Sequence, residues 1–157
     1  MFESRFKFVD IASVAGAYRG IRQEIRPIAN GRIRRKLSGR AYSSARAQFR
    51  QLQTTVYFED MRPPALAGLW PGDIVTIHCA VELPQPQIVG SEPIRPVVPG
   101  TLVHLDADGN LVDEADAIHF NFCPVLTGIV EPWAIMDDEW AASAQTDITI
   151  IEVDGNA

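Results

Sequence analysis

Two cysteines, three histidines and no run of about twenty apolar residues remove several classes of protein before any motif is considered. Without such a run the sequence predicts no membrane-spanning helix. Cys79 and Cys123 form no CxxC pair and no zinc-ligand spacing. They predict two buried thiols in a reducing cytoplasm rather than a disulfide scaffold. The first ten residues, MFESRFKFVD, hold no apolar stretch and no small-residue cleavage site, and predict no secretion signal. GxSxG, P-loop, GxGxxG and HExxH patterns are all missing, and no Ser or Cys has a neighbouring base to make it a nucleophile. The residues therefore offer no catalytic site, and they call for no cofactor.

Basic residues are scarce beyond residue 62, where Arg95 is the single one against fifteen acids, a formal −14. Residues 1–62 hold thirteen of the 14 Lys and Arg and five acids, a formal +8. Such asymmetry is a statement about partners rather than about fold. The densest part is IANGRIRRKLSGR, residues 28–40, with Arg32, Arg34, Arg35, Lys36 and Arg40 and no acid among them. Nucleic acid or the acidic half of a second copy would each suit it.

The 157 residues predict one β-rich domain, 1–157, of β-sandwich or barrel-like form, with a short helix and long Pro-rich loops or arms. Period-two alternation marks strands at RFKF, at DIVTIHCAVEL, at AIHFNFC and at TDITIIEV. The alternation places Val75, Ile77, Val81, Ile118, Phe120 and Phe122 in one core. Asn30-Gly31 is the favoured pair for a type I′ turn, so residues 25–40 read as a basic β-hairpin arm centred there. Pro27 lacks an N–H and belongs on an edge strand. The segment SSARAQFRQLQ reads as a short helix or turn running into a strand at TTVYFED. Residues 61–72 read as an ordered loop with Leu66, Leu69 and Trp70 plugging the core. The passage LPQPQIVGSEPIRPVVPG holds too many prolines for a central strand or a helix. Residues 84–100 of it read as an extended surface loop, with Ile88, Val89 and Ile94 available for contacts.

Three further features have plain structural accounts. Asp106–Asn110, DADGN, lacks the Gly and Glu positions of a helix-loop-helix calcium loop and reads as a β-turn. His78, His104 and His119 fall in three separate strands, two of them on less apolar faces, and predict no metal centre. Asp137, Asp138 and Glu139 in MDDEW read as a charged loop facing solvent or a basic partner.

Two passages carry a resemblance. GRIRRKLSGRAYSSARAQFRQLQTTVYFEDMRPPALAGLWPGDIVTI resembles virion proteins of tailed bacteriophages: a basic strand, a short AQFR segment, then PPALAGLWPGD. GIVEPWAIMDDEWAASAQTDITIIEV is similar to the closing strand pair of small phage tail and tail-tip proteins, where a Trp-containing loop leads into a last strand. Together they cover about half of the chain; residues 84–116 lie outside them. The resemblance implies a structural tail, tail-tip or baseplate protein of the virion, with no catalytic residues. Its partners would be copies of itself in a ring, a trimer or hexamer, and other tail proteins, with no membrane. On that reading Arg32, Arg34, Arg35, Lys36, Arg40, Ile88, Val89, Ile94, Asp137, Asp138 and Glu139 are candidates for inter-subunit contact, because heterologous rings join two different patches. A nucleic-acid-binding module using the basic segment, and a small-ligand-binding β-barrel, are the alternatives.

Overall fold

The structure, a computed structural model, describes residues 6–9, 21–28, 31, 33–46, 50–60, 68–88, 91–140 and 143–153, without the side chains of Asp60 and Asp137. Among the described residues twelve strands follow one another: β1 (Lys7–Phe8), β2 (Arg22–Pro27), β3 (Ile33–Arg35), β4 (Ala41–Ser43), β5 (Leu52–Asp60), β6 (Ile74–His78), β7 (Leu83–Pro86), β8 (Val103–Leu105), β9 (His119–Phe122), β10 (Val125–Val130), β11 (Ala134–Asp138) and β12 (Ser143–Glu152). The protein is mainly β, and every pair among the described strands is antiparallel.

The main sheet runs β1-β6-β10-β12-β5-β2, with β11 also on β12. β10 and β11 are one strand interrupted by a bulge. Val130 faces Ile150 and Ala134 faces Asp147, so the chain spends one residue more than its partner between them. The alternation in β12 is strict: Ala144, Thr146, Ile148, Ile150 and Glu152 are buried, while Gln145 and Asp147 are exposed. The same face continues through Val56 and Phe58 on β5, Leu126 and Val130 on β10, Val75 and Ile77 on β6, and Phe8 on β1. The sheet curls over this core. Phe6, beside β1, meets Phe58 of β5 edge-on at 6.1 Å, although three strands separate β1 from β5. Gln23 of edge strand β2 accepts the Ala80 N–H at 2.7 Å, just beyond β6 near the opposite edge. This curl is what makes the fold barrel-like.

A second sheet, β7-β9-β8, is the continuation of β6 and β10 around a corner. His78 faces Val125 and Leu83 faces Phe122, so residues 79–82 spend two residues more than 123–124 opposite them. Excess chain on one side bends a strand pair, and strands turn from one sheet to another at such points.

Several sequence expectations are met in kind but shifted in place. The Lys7–Phe8 part of RFKF, TDITIIEV and the DADGN turn form as read, Arg5 lying outside the described residues: Asp106 Oδ1 accepts the N–H groups of Asp108 and Asn110, each at 2.9 Å, and Gly109 takes φ 83°. Pro27 does lie on an edge strand. Val75, Ile77, Phe120 and Phe122 are buried, but Phe120 and Phe122 belong to the second sheet rather than to the main core. Val81 is half-buried in the corner. Ile118 precedes β9 and is 56% exposed, because alternation cannot say where a strand begins. Leu69 plugs the core and Trp70 does not; Leu66 lies outside the described residues. The short helix expected in residues 43–53 is not present in the described part of that segment, and Ala47–Phe49 lie outside it. Among the described residues the helical structure is one 3-10 turn, Glu114–Asp116.

Candidate interaction surface

The basic arm is a hairpin, but not the one that Asn30-Gly31 suggests. β2 pairs with β5 inside the main sheet, so it is not the first strand of the arm. The hairpin is β3-β4, with Ile33, Arg34 and Arg35 facing Ser43, Tyr42 and Ala41. Its turn is centred on Leu37-Ser38-Gly39. The Lys36 N–H donates to Arg40 O at 3.0 Å and the Gly39 N–H to Lys36 O at 2.9 Å. Gly39 takes φ 79°, the left-handed region where a side chain is disfavoured. Gly31 is not among the positive-φ glycines; it sits against the Ala45 backbone, where a Cβ would come within 2.4 Å of Ala45 N. Asn30 and Arg32 lie outside the described residues.

Every described residue from Ile33 to Arg46 is exposed, including Arg34, Arg35, Lys36 and Arg40. Ile33 is 81% exposed and Leu37 fully so. The Lys36 ammonium lies 5.8 Å from the Tyr42 ring centre, a contact that contributes about 0.5–1 kcal/mol at an exposed site. Among the described strands β3 and β4 pair only with each other. An isolated two-stranded hairpin is marginal in water, so this one calls for a surface to lie on.

The acidic candidates sit elsewhere. Asp138, at the end of β11, accepts the Trp140 N–H at 3.0 Å in a tight turn; Glu139 and Trp140 are exposed, Trp140 to 99%. The side chain of Asp137 is outside the described set. The basic hairpin and β11, which leads into the acidic turn, belong to different sheets.

The Pro-rich passage differs from the expected surface excursion. Leu83–Pro86 is β7, at the edge of the second sheet, where prolines are tolerated. Gln85 pins the following loop: its Nε2 donates to Glu92 O at 2.8 Å and its Oε1 accepts the Ile94 N–H at 3.0 Å. Ile88 and Ile94 are exposed as expected, and Val89 lies outside the described residues. The passage then turns inward. Val125 donates to Pro96 O at 2.8 Å and Val98 to Cys123 O at 2.9 Å, so residues 96–98 brace the corner between the sheets.

Arg95, between them, was read in the sequence only as a lone charge. It is 9% exposed and forms a two-pronged ion pair with Glu152, which is 4% exposed. Its Nε donates to Glu152 Oε1 at 2.5 Å and its Nη2 to Oε2 at 2.9 Å. Nη1 and Nη2 also reach Ile94 O at 2.7 Å and Arg50 O at 3.0 Å, and Oε2 accepts the Leu52 N–H at 2.8 Å. Glu152 stands on the core face beside Gly128, whose missing side chain leaves room there: a Cβ would come within 2.4 Å of Ile151 O. Two sequence signals were available. The period of β12 puts Glu152 in phase with Ile148 and Ile150, and Arg95 is a lone base inside an apolar, proline-bounded run.

The histidines do not converge. His78 is in the main sheet. His104 faces Phe120 and His119 faces Leu105, which puts them on opposite faces of the second sheet. Among the described residues no group of three His, Cys, Asp or Glu could hold a metal ion. No helix among them is long and apolar enough to cross a membrane.

Cys79 and Cys123 are both buried thiols. Burial pushes the Cys79 thiol up to about 12, only partly offset by its hydrogen bond with Gln23. The thiolate is the reactive form, so native Cys79 should be alkylated on the order of a thousandfold more slowly than a free thiol at neutral pH. Stoichiometric labelling in denaturant but not in buffer is the expected result; rapid native labelling of Cys79 would show that the corner opens.

No family model, no curated protein and no solved structure matches this chain.

Proposed function

We propose that this protein is a structural component of a bacteriophage virion, a tail or tail-tip/baseplate protein that assembles into a ring through subunit contacts. The observation that carries this reading is the β3-β4 hairpin, a two-stranded arm with four described cations and two large apolar side chains in solvent. Alone it gains little from its own folding; laid on a neighbour it buries Ile33 and Leu37 and finds counter-charges. The acidic remainder of the chain supplies those charges. The virion assignment itself rests on the resemblance of the two quoted passages, and the β11-β12 hairpin with half-buried Trp133 before it has the form that resemblance implies.

Replacing Arg34 and Arg35 together by Glu tests it. Assembly, or incorporation into particles, should be lost while a folded monomer remains, because exposed charges contribute only about 0–1 kcal/mol to a fold. Particle mass by light scattering at two salt concentrations, with negative-stain images of rings, reads this out. An assembly-competent double variant would overturn the hairpin's role. If instead the change abolished a salt-sensitive shift of DNA and left assembly intact, the arm would be a nucleic-acid contact.

A further inference from the structure

Among the described sheet edges, that of β11 is the one whose charges are all acidic. Edge strand β2 ends in Pro27 and exposes Arg22, Glu24 and Arg26. β7 holds Pro84 and Pro86. β8 is three residues long and is covered by the Val112 N–H to His104 O bond and the Leu105–Leu111 bridge. Prolines, charges, short strands and covering loops are the usual devices against edge-to-edge pairing. β11 has no proline and no cation, and its charges are the acids Asp137 and Asp138. It pairs with β12 on one side and with no described strand on the other, and it presents Ile135 and Met136 to solvent.

We infer that the outer edge of β11 is the receptor for the β3-β4 hairpin of a second copy, which adds β3 to the main sheet by strand pairing. This rests on the ring-forming role proposed above and names the surface that role uses. Three observations converge. The first is charge: Arg34, Arg35, Lys36 and Arg40 meet an edge that ends in Asp138 and Glu139. The second is apolar area: Ile33 and Leu37 would cover Ile135, Met136 and Trp140, all exposed in the single chain. The third is placement: the root of the hairpin and β11 lie toward opposite ends of β12. The hairpin leaves the main sheet where Ile28 bonds to Gln51, beside Val153 at the far end of β12. β11 lies on the opposite half of β12, against Ser143–Asp147. The two ends of β12 are roughly 25 Å apart at about 3.3 Å per residue, and β5 stands between β12 and β2. A contact between unlike patches at opposite ends of the sheet is head-to-tail, and it builds a ring if the rotation closes and a filament if it does not.

Charge exchange tests the pairing on the full chain. Arg34→Glu with Arg35→Glu reverses the hairpin, and Met136→Lys with Glu139→Lys reverses the edge; all four side chains are exposed. Sedimentation velocity at low and high salt reads the association, and far-UV circular dichroism checks that each variant is folded. Each reversed pair should raise the dissociation constant by about tenfold or more. Combining both pairs in one chain should restore association, which a merely unfolded or sticky variant would not do. Association lost on hairpin reversal but kept on edge reversal would overturn β11 as the receptor and leave the ring-forming role standing. A wild-type chain that stays monomeric at every concentration would overturn both self-association and this pairing.

Discussion

Arg95→Ala is expected to lower the stability of the fold by about 3–5 kcal/mol, the cost of stripping one partner from a buried ion pair. Glu152 keeps its Leu52 N–H bond in the variant but loses both guanidinium contacts while remaining at the inner end of β12. The Ile94 and Arg50 carbonyls lose a donor as well. The loss is local to the corner, where residues 94–98 brace the junction of the two sheets, so the Pro-rich passage should also become accessible to protease. Urea denaturation, read as a lower midpoint at unchanged slope, measures the effect. The paired change Arg95→Met with Glu152→Leu should recover most of the loss, since apolar replacement of a whole buried pair is often neutral or stabilising. A single variant with the wild-type midpoint would mean that the pair is solvated and holds nothing.

Ile77→Ala should cost about 2–5 kcal/mol. Ile77 is fully buried and stands between Phe8 of β1 and Leu126 of β10 on the core face, so truncation opens a void that a curled sheet cannot collapse onto. Ile118→Ala is the matched control. The same alternation rule marks it as core, yet it is exposed, and its truncation should stay within about 0.5 kcal/mol. Equal effects at the two positions would contradict the burial described above.

What was legible in the sequence follows from how far each signal reaches. Alternation is a local property of a strand, so it located β1, β6, β9 and β12 and named Val75, Ile77, Phe120 and Phe122 as inward. It does not reach strand ends or sheet membership: DIVTIHCAVEL reads as one strand, but the chain turns a corner after His78 because its partner offers fewer residues there. Turn chemistry was legible where the competing partners are near in sequence, as at Asp106–Asn110. At residues 28–40 the hairpin turn lies at Leu37-Ser38-Gly39, because β2 is taken up by β5 and β3 pairs with β4 instead. The exposed basic residues were found because charge density needs no fold to be seen.

By itself, then, the sequence determined the β class, the inward faces of the strands, the edge position of Pro27 and the segregation of charge between two ends of the chain. These depend on side-chain period, on a missing N–H and on composition, all of which are local. Only the tertiary structure decided that Arg95 and Glu152 meet, that the Pro-rich passage braces the corner, and that β11 pairs with no described strand other than β12. The first two join residues far apart in the chain, with 57 positions from Arg95 to Glu152, and the third depends on β10 covering only the far end of β12 while β11 lies against its first half. Their formation depends on which strands win which partners, a competition settled by burial over the whole curled sheet and not by any short stretch within it.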